Sequence, residues 1–250
     1  MLKILLSGAC GRMGRQVSAL AEEENAAIVA GVDVHAERYA DFPVYPSFSL
    51  VGEESQVIVD FSRPEGLAAL LAYARSHRLP AVLAATGYNE ADLTAIREAA
   101  LDIPVFRSAN LSLGVYVLKT LARQAAQLLP DFDVEIIERH HNQKIDAPSG
   151  TALMLYDAVS RPDSFPVFGR NGRTQKREKK EIGMHAVRGG TVPGEHEVGF
   201  YGSGEIVSIS HSAQDRSIFA RGALRAARFI AAQQPGEYDM DALAESLLRK

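Results

Sequence analysis

The sequence predicts an α/β protein in two parts, a parallel-sheet domain followed by a second α/β domain with a sheet of its own. Three observations lead there. Short apolar runs alternate with helical stretches over the first hundred or so residues, and such alternation builds parallel strands joined by right-handed crossovers. The rhythm changes beyond Asn110. Three strand-like runs joined by Gly-rich turns then gather between residues 182 and 211.

Leu2–Ser7 (LKILLS) is a short apolar run ahead of Gly8, the pattern of a buried parallel strand. A helix is expected over residues 11–24, where Met13, Val17 and Leu20 fall on one face. Strands follow over 27–34, with Asp33 at the end, and over 57–61 (VIVDF). Pro64, suited to a first helical turn, opens a helix over 64–77. Residues 81–85 (AVLAA) and Pro104–Arg107 are strand-like, with a helix over 90–101 between them. Past the change of rhythm, 113–129 is a long helix, 133–138 (DVEIIE) a strand and 149–160 a helix. The basic run NGRTQKREKK makes 161–180 a mobile loop or a solvated linker. Strands over 182–187, 195–201 and 205–211 form the second sheet. A helix over 217–232 and a tail that ends helically at about residue 247 complete the chain.

The 250 residues are 46% hydrophobic and 23% charged, with a net charge of -4. That balance is ordinary for a globular protein and argues against a general polyanion binder, so any anion site must be a local basic cluster. A single cysteine, Cys10, excludes an internal disulfide and a multi-cysteine zinc site. The opening run MLKILLSGAC is too short to span a membrane and lacks the build of a signal peptide, so a cytoplasmic location is the default expectation.

SGACGRMGRQ sets Gly8, Gly11 and Gly14 three residues apart between the first strand and the first helix. Glycines let the backbone turn tightly against a pyrophosphate, and the helix N-terminus offers unpaired N–H groups with a partial positive charge. Ala9 replaces the first glycine of the usual G-x-G-x-x-G turn. Asp33, about 20 residues on, stands where an acid binds a ribose 2′-OH. The first part is therefore expected to be a Rossmann-type dinucleotide domain, with Arg12 a candidate phosphate cap. A carboxylate at Asp33 repels a 2′-phosphate, which favours NADH; NADPH would need His35 or Arg38 to reach that phosphate. Cys10 reads as a small residue packed in the turn rather than a redox thiol. AATGY (84–88) and SANLSLG (108–114) fall at the same sheet edge, where open α/β sheets bind ligands. Thr86 and Asn110 are candidate contacts to a nicotinamide amide; the alternative is a pair of ordinary turns.

ERHHNQKIDAPSGTA (138–152) places two of the chain's 7 histidines side by side, with Lys144 three residues after the second. On the strand, Glu135 and Ile137 point one way, Ile136 and Glu138 the other, and His140 and His141 mark its exit from the sheet. Ser149, Gly150 and Thr151, at the next helix start, present N–H groups and hydroxyls to a carboxylate. Lys144 adds a point charge, and a histidine is a cation or proton donor near neutral pH. Together they describe a site for a small dianion. A metal site would need a third ligand at sensible spacing, which this stretch lacks. A purely structural cluster is the other alternative.

E-I-I-E-x-H-H-x-x-K-x-D-A-P-S-G-T-A resembles the signature of the dihydrodipicolinate reductase (4-hydroxy-tetrahydrodipicolinate reductase) family of bacterial lysine and diaminopimelate biosynthesis. GACGRMGR, VDFSRPEG, ATGY, HAVRGG and GEHEV fall in that family's order, so the resemblance covers nearly the whole chain. It implies reduction of 4-hydroxy-tetrahydrodipicolinate by NADH or NADPH, with loss of water, to tetrahydrodipicolinate. It implies His140 as proton donor and acceptor, Lys144 as a second proton donor, His141 as a substrate contact, and Gly150 with Thr151 as holders of one carboxylate. For the dinucleotide it implies the turn of Gly8, Ala9, Cys10, Gly11, Arg12 and Met13, together with Asp33. Ala84, Ala85, Thr86, Ser108, Ala109, Asn110 and Leu111 complete the implied contacts. A homotetramer assembled through the sheets of the second domain is implied as well. The chain departs from the family where Ala84-Ala85-Thr86-Gly87 replaces the usual Gly-Thr-Thr-Gly, and where Ser108-Ala109 and Leu111 vary a segment that more often reads Ala-Pro-Asn-Phe.

Residues 1–108 and 218–250 are thus expected to form the dinucleotide-binding domain. Residues 109–217 are expected to form an α/β substrate-binding and oligomerisation domain with an open mixed sheet. The expected partner is a small dicarboxylate, with no metal, nucleic acid or membrane. Two other readings compete. A dehydrogenase of an amino-acid semialdehyde would need no dianion cradle, and an NAD-responsive binding module would leave Lys144 and the histidines without a task.

Overall fold

The computed structural model describes residues 1–172 and 175–249. In chain order the first elements are β1 (Leu2–Ser7), α1 (Arg12–Leu20), β2 (Ala26–Val32), β3 (Val44–Tyr45), β4 (Val57–Asp60), α2 (Leu67–His77), β5 (Ala81–Leu83), α3 (Glu90–Ala99) and β6 (Pro104–Arg107). Next come α4 (Leu113–Leu128), β7 (Asp133–His140), α5 (Gly150–Val159), β8 (Phe165–Phe168), β9 (Glu181–Arg188), β10 (Gly194–Tyr201) and β11 (Ile206–Ala213). The chain closes with α6 (Ser217–Ile230), β12 (Gly236–Tyr238) and α7 (Met240–Leu248). It divides into two compact units: Met1–Ser112 together with the chain from Ser217 onward, and Leu113–Arg216.

The first unit is built on an all-parallel sheet in the order β12-β6-β5-β4-β1-β2-β3. Strand order reverses between β1 and β4, the switch point beyond whose carboxyl ends open α/β sheets bind ligands. Ile4, Leu5 and Leu6 are fully buried, as expected of a strand covered on both faces. Leu5, Ile58 and Val105 of the sheet pack with Leu70 of α2 and Ile96 of α3. Each such side chain contributes roughly 1.5–3 kcal/mol relative to exposure. The buried side of α6 is lined by Ala220, Ala223 and Ala227, small enough for close packing.

The second unit is an open mixed sheet in the order β11-β10-β7-β9-β8. β10 runs antiparallel to β7 and β11, while β7, β8 and β9 are parallel. Leu118 and Ala122 of α4 and Leu155 and Val159 of α5 pack against Ile136, Met184, Val198 and Phe200 on one face.

Several element boundaries differ from the sequence expectation. Helix α1 stops at Leu20, because Ala26 N–H donates to the Ala21 carbonyl at 2.8 Å and Asn25, at φ 53, turns the chain into β2. Asp33 lies one residue past β2. Pro64–Gly66 is a 3₁₀ turn leading into α2. β7 runs two residues further than expected, so His140 is its last member. The segment expected as a loop contains β8, paired in parallel with the edge of β9; Arg173 and Thr174 of its basic run lie outside the described residues. The tail, expected to end helically, does so in α7 after adding β12 beside β6.

Candidate active site

Every second residue of β7 is buried: Val134, Ile136, Glu138 and His140 share one face. Alternation thus carries Glu138 to a place suited to an apolar side chain, at 1% exposure. Its carboxylate is fully partnered. Arg188 of β9 donates from both terminal nitrogens, at 2.8 Å to Oε2 and 2.7 Å to Oε1. Ser149 N–H donates to Oε1 at 3.0 Å, and His140 Nδ1 donates to Oε2. Burial alone would raise the Glu138 carboxyl; Arg188, His140 and the Ser149 amide outweigh it and hold it below the usual range. An ionised carboxylate only accepts, so His140 carries its hydrogen on Nδ1 and keeps a lone pair on Nε2. Burial pushes the His140 imidazole below its ordinary range, against the pull of Glu138 and with the help of Lys144 and Arg188.

His196 of β10 stands opposite Glu138 in the sheet register. Its ring meets that of His140 edge-on, with centroids 5.1 Å apart, and its Nε2 lies 3.0 Å from Ser149 Oγ. Burial, then His140, pushes the His196 imidazole down to about 4. Ser149 Oγ also accepts from the Ala152 amide at 3.2 Å, as N-cap of α5. Both polar groups of Ser149 therefore face inward. The accessible residues of this first turn are Gly150, exposed, and Thr151, half-buried.

His141 is fixed through its amide, which donates to the Val192 carbonyl at 2.8 Å. Lys144 N–H donates to the His141 carbonyl at 3.2 Å, and Lys144 Nζ pairs with Asp146 Oδ1 at 2.8 Å. The Lys144 ammonium in turn holds the Asp146 carboxyl below its ordinary range. Arg188 also donates to the Asp146 carbonyl at 2.6 Å, so one guanidinium ties β7, β9 and the lysine loop together. The structure thus brings His140, His141, Lys144, Ser149, Gly150 and Thr151 into one corner of the second unit. A cation, an uncharged imidazole and a helix N-terminus suit an anionic ligand that exchanges protons.

The other candidates lie in the first unit, at or just past the carboxyl ends of its strands. A Cβ at Gly8 (φ +73) would lie 2.7 Å from the Phe61 and Ser62 backbone, and one at Gly14 would lie 2.3 Å from the Gly8 carbonyl oxygen. Both positions require glycine because the turn packs on the end of β4 and on itself. Gly11 caps α1 without a side-chain hydrogen bond, and the first turn holds no acid. The first amides and the positive helix end are left to a ligand, between half-buried Met13 and exposed Arg12. Asp33 braces the turn: Oδ2 accepts from Cys10 N–H and Oδ1 from His35 N–H, both at 3.0 Å. Each oxygen keeps lone-pair capacity for a ribose hydroxyl. The Cys10 thiol donates to the Glu37 carbonyl at 3.4 Å, and Ala9 is fully buried. These residues fit a dinucleotide.

Past β5, Ala84 N–H donates to the Asp60 carbonyl at 2.9 Å, Ala85 is buried and Thr86 is exposed. Past β6, Ser108 Oγ donates to the Asn110 carbonyl at 2.7 Å, and Asn110 Oδ1 accepts from Ser112 N–H at 2.9 Å, with Ala109 exposed between them. Leu111 is buried with its carbonyl against Gly222 of α6, where a Cβ would lie 1.9 Å away, so it is a packing residue first.

Sequence reasoning missed the parts played by Glu138, Arg188 and His196. One signal was present: an acid on the buried side of DVEIIE must find a partner. Which partner is not visible locally, since Arg188 lies 50 residues away.

The family model described as dihydrodipicolinate reductase, N-terminus, matches residues 2–111, and its C-terminus counterpart matches 114–243. The chain is 47% identical to a 4-hydroxy-tetrahydrodipicolinate reductase of Caldanaerobacter subterraneus, over 98% of this chain and 99% of that one. It is 44% identical to the enzyme of the same name from Clostridium tetani, over 98% of each. Its fold is similar to that of a dipicolinate-bound dihydrodipicolinate reductase from Paenisporosarcina sp. TG-14, with TM-score 0.77 and 22% identity, covering 96% and 97% of the two chains. A probable dehydrogenase from Thermotoga maritima shares the fold more loosely, with TM-score 0.59 and 11% identity over 99% and 94%. The two models account for nearly the whole chain in its two halves, and the chain belongs to the dihydrodipicolinate reductase family.

Proposed function

We propose that the protein reduces 4-hydroxy-tetrahydrodipicolinate to tetrahydrodipicolinate with a pyridine nucleotide, losing water, in lysine and diaminopimelate biosynthesis. Family membership supports the reaction. The observation that carries it is the gathering of His140, His141, Lys144 and the α5 N-terminus around one buried ion pair. Conversion of the hydroxylated ring consumes one hydride and one proton and releases the hydroxyl as water. When bound, the reduced nicotinamide supplies the hydride. Lys144 delivers a proton as an ammonium. His140, uncharged at neutral pH, accepts and returns one at Nε2. His141 and the amides of Gly150 and Thr151 hold the ring carboxylates.

The dinucleotide contacts are assigned to the glycine turn from Gly8 to Met13, Asp33, and the turns after β5 and β6. NADH is favoured and NADPH tolerated. The Asp33 carboxylate repels a 2′-phosphate, while Arg15 and Arg38 are tied to the carbonyls of Cys10, Ala40 and Asp41. The relatives are bacterial biosynthetic enzymes, which supports a cytoplasmic location. A homotetramer assembled through the sheet of the second unit is assigned on the family resemblance.

Lys144→Ala and His140→Ala should each lower kcat by about 10²–10⁴-fold while leaving the NADH Kd within a few-fold. Steady-state kinetics on freshly condensed pyruvate and aspartate semialdehyde, with calorimetric NADH titration, checks both. Near-wild-type kcat in either variant removes that residue from the mechanism, and wild-type protein that leaves NADH unoxidised overturns the activity.

A further inference from the structure

We infer that Glu138 is a positioning residue: it locks His140 as the Nδ1–H tautomer and so makes Nε2 the atom that exchanges the proton. The chemical part of this role rests on the proposed reductase reading; the tautomer does not.

The lone pairs of Glu138 are all claimed. Oε1 accepts from Arg188 and the Ser149 amide, and Oε2 accepts from Arg188 and His140 Nδ1. Four donors on two oxygens leave the carboxylate no hydrogen of its own to give. A carboxyl this deeply buried would otherwise take up a proton, and the bidentate guanidinium keeps it ionised. Groups face His140 from every element packed on it: Glu138 on its own strand, Arg188 on β9, His196 on β10 and Lys144 in the following loop. Of these, Arg188 and Lys144 are cations that cannot accept, and His196 turns its Nε2 to Ser149. His196 Nδ1 is buried without a partner, so among the described residues facing the ring Glu138 alone holds a ring N–H. On the opposite side, a Cβ at position 194 would lie 3.0 Å from His140 Nε2, so Gly194 leaves that nitrogen uncovered.

Glu138→Gln is therefore more than a loss of charge. Its amide has one acceptor oxygen, which Arg188 and Ser149 both require. The NH₂ group then faces His140 Nδ1 and forces the hydrogen to Nε2, the wrong tautomer for a proton acceptor.

The test is long-range ¹⁵N–¹H correlation on the histidine-labelled full chain, with the His140 signals assigned by their loss in His140→Asn. Wild-type protein at neutral pH is expected to show hydrogen on Nδ1 and none on Nε2, and Glu138→Gln the reverse. In the kinetic assay Glu138→Gln should lower kcat about 10²–10⁴-fold with KM within a few-fold, and remove the imidazole limb of the kcat–pH profile. A purely structural glutamate would change stability and leave both tautomer and profile in place. Wild-type His140 bearing its hydrogen on Nε2 overturns the inference, and that spectrum decides even where the variant fails to fold. So does a variant with wild-type kcat and profile. An Nδ1–H tautomer in protein that turns over no substrate overturns the proton exchange together with the reductase reading, and leaves the tautomer standing.

Discussion

His196 shows what burial does to one imidazole. At 5% exposure it is pushed down to about 4, so the folded protein keeps it neutral where the unfolded chain, near 6.5, takes up a proton. The unfolded state binds more protons between those values. The stabilising effect is therefore complete above about pH 6.5 and is lost as pH falls toward 4, at no more than about 1.4 kcal/mol per pH unit. His140 and His211, both lowered by burial, act with the same sign. Asp60, raised by burial, acts with the opposite sign, losing its contribution as pH rises through its folded value. Urea unfolding followed from neutral to acid pH should show stability falling below pH 6.5, and His196→Gln should make the fall shallower. An unchanged slope in the variant would remove His196 from the account.

Among the elements, β7 and α5 build the corner that matters. Alternation along β7 was readable in the sequence for Ile136 and Glu138, and the longer strand of the structure adds His140 to the same side. The start of α5 was readable too, because Ser149 is a strong N-cap. Ser149→Ala removes the bond to the Ala152 amide and the partner of His196. It should cost about 0.5–2 kcal/mol, seen as a lower urea midpoint at constant slope; an unchanged midpoint would mean the cap does not stabilise the helix. Shorter elements were not readable. β3 has two residues and β12 three, and such pieces are strands only because a neighbour offers its edge. In β8, FPVF stands before a basic run, and charge patterning obscured a strand that β9 supports.

At the scale of the molecule, the chain crosses from one unit to the other and returns. The segment from Ser217 onward adds β12 to the first sheet and packs α6 against it. The proposed homotetramer belongs to this scale. Light scattering behind a sizing column should give four times the 27.1 kDa chain mass, and a single-chain mass would reject that assembly.

By itself the sequence determined the two kinds of sheet, the glycine turn with its acid, and the short stretch that holds paired histidines, a lysine and a helix start. Those features are local: run length, alternation and turn chemistry are written within a dozen or so positions. Only the tertiary structure decided that Arg188 neutralises Glu138 and that His196 closes on His140. A buried charge takes the partner that sheet register delivers, and the packing of the whole sheet sets that register.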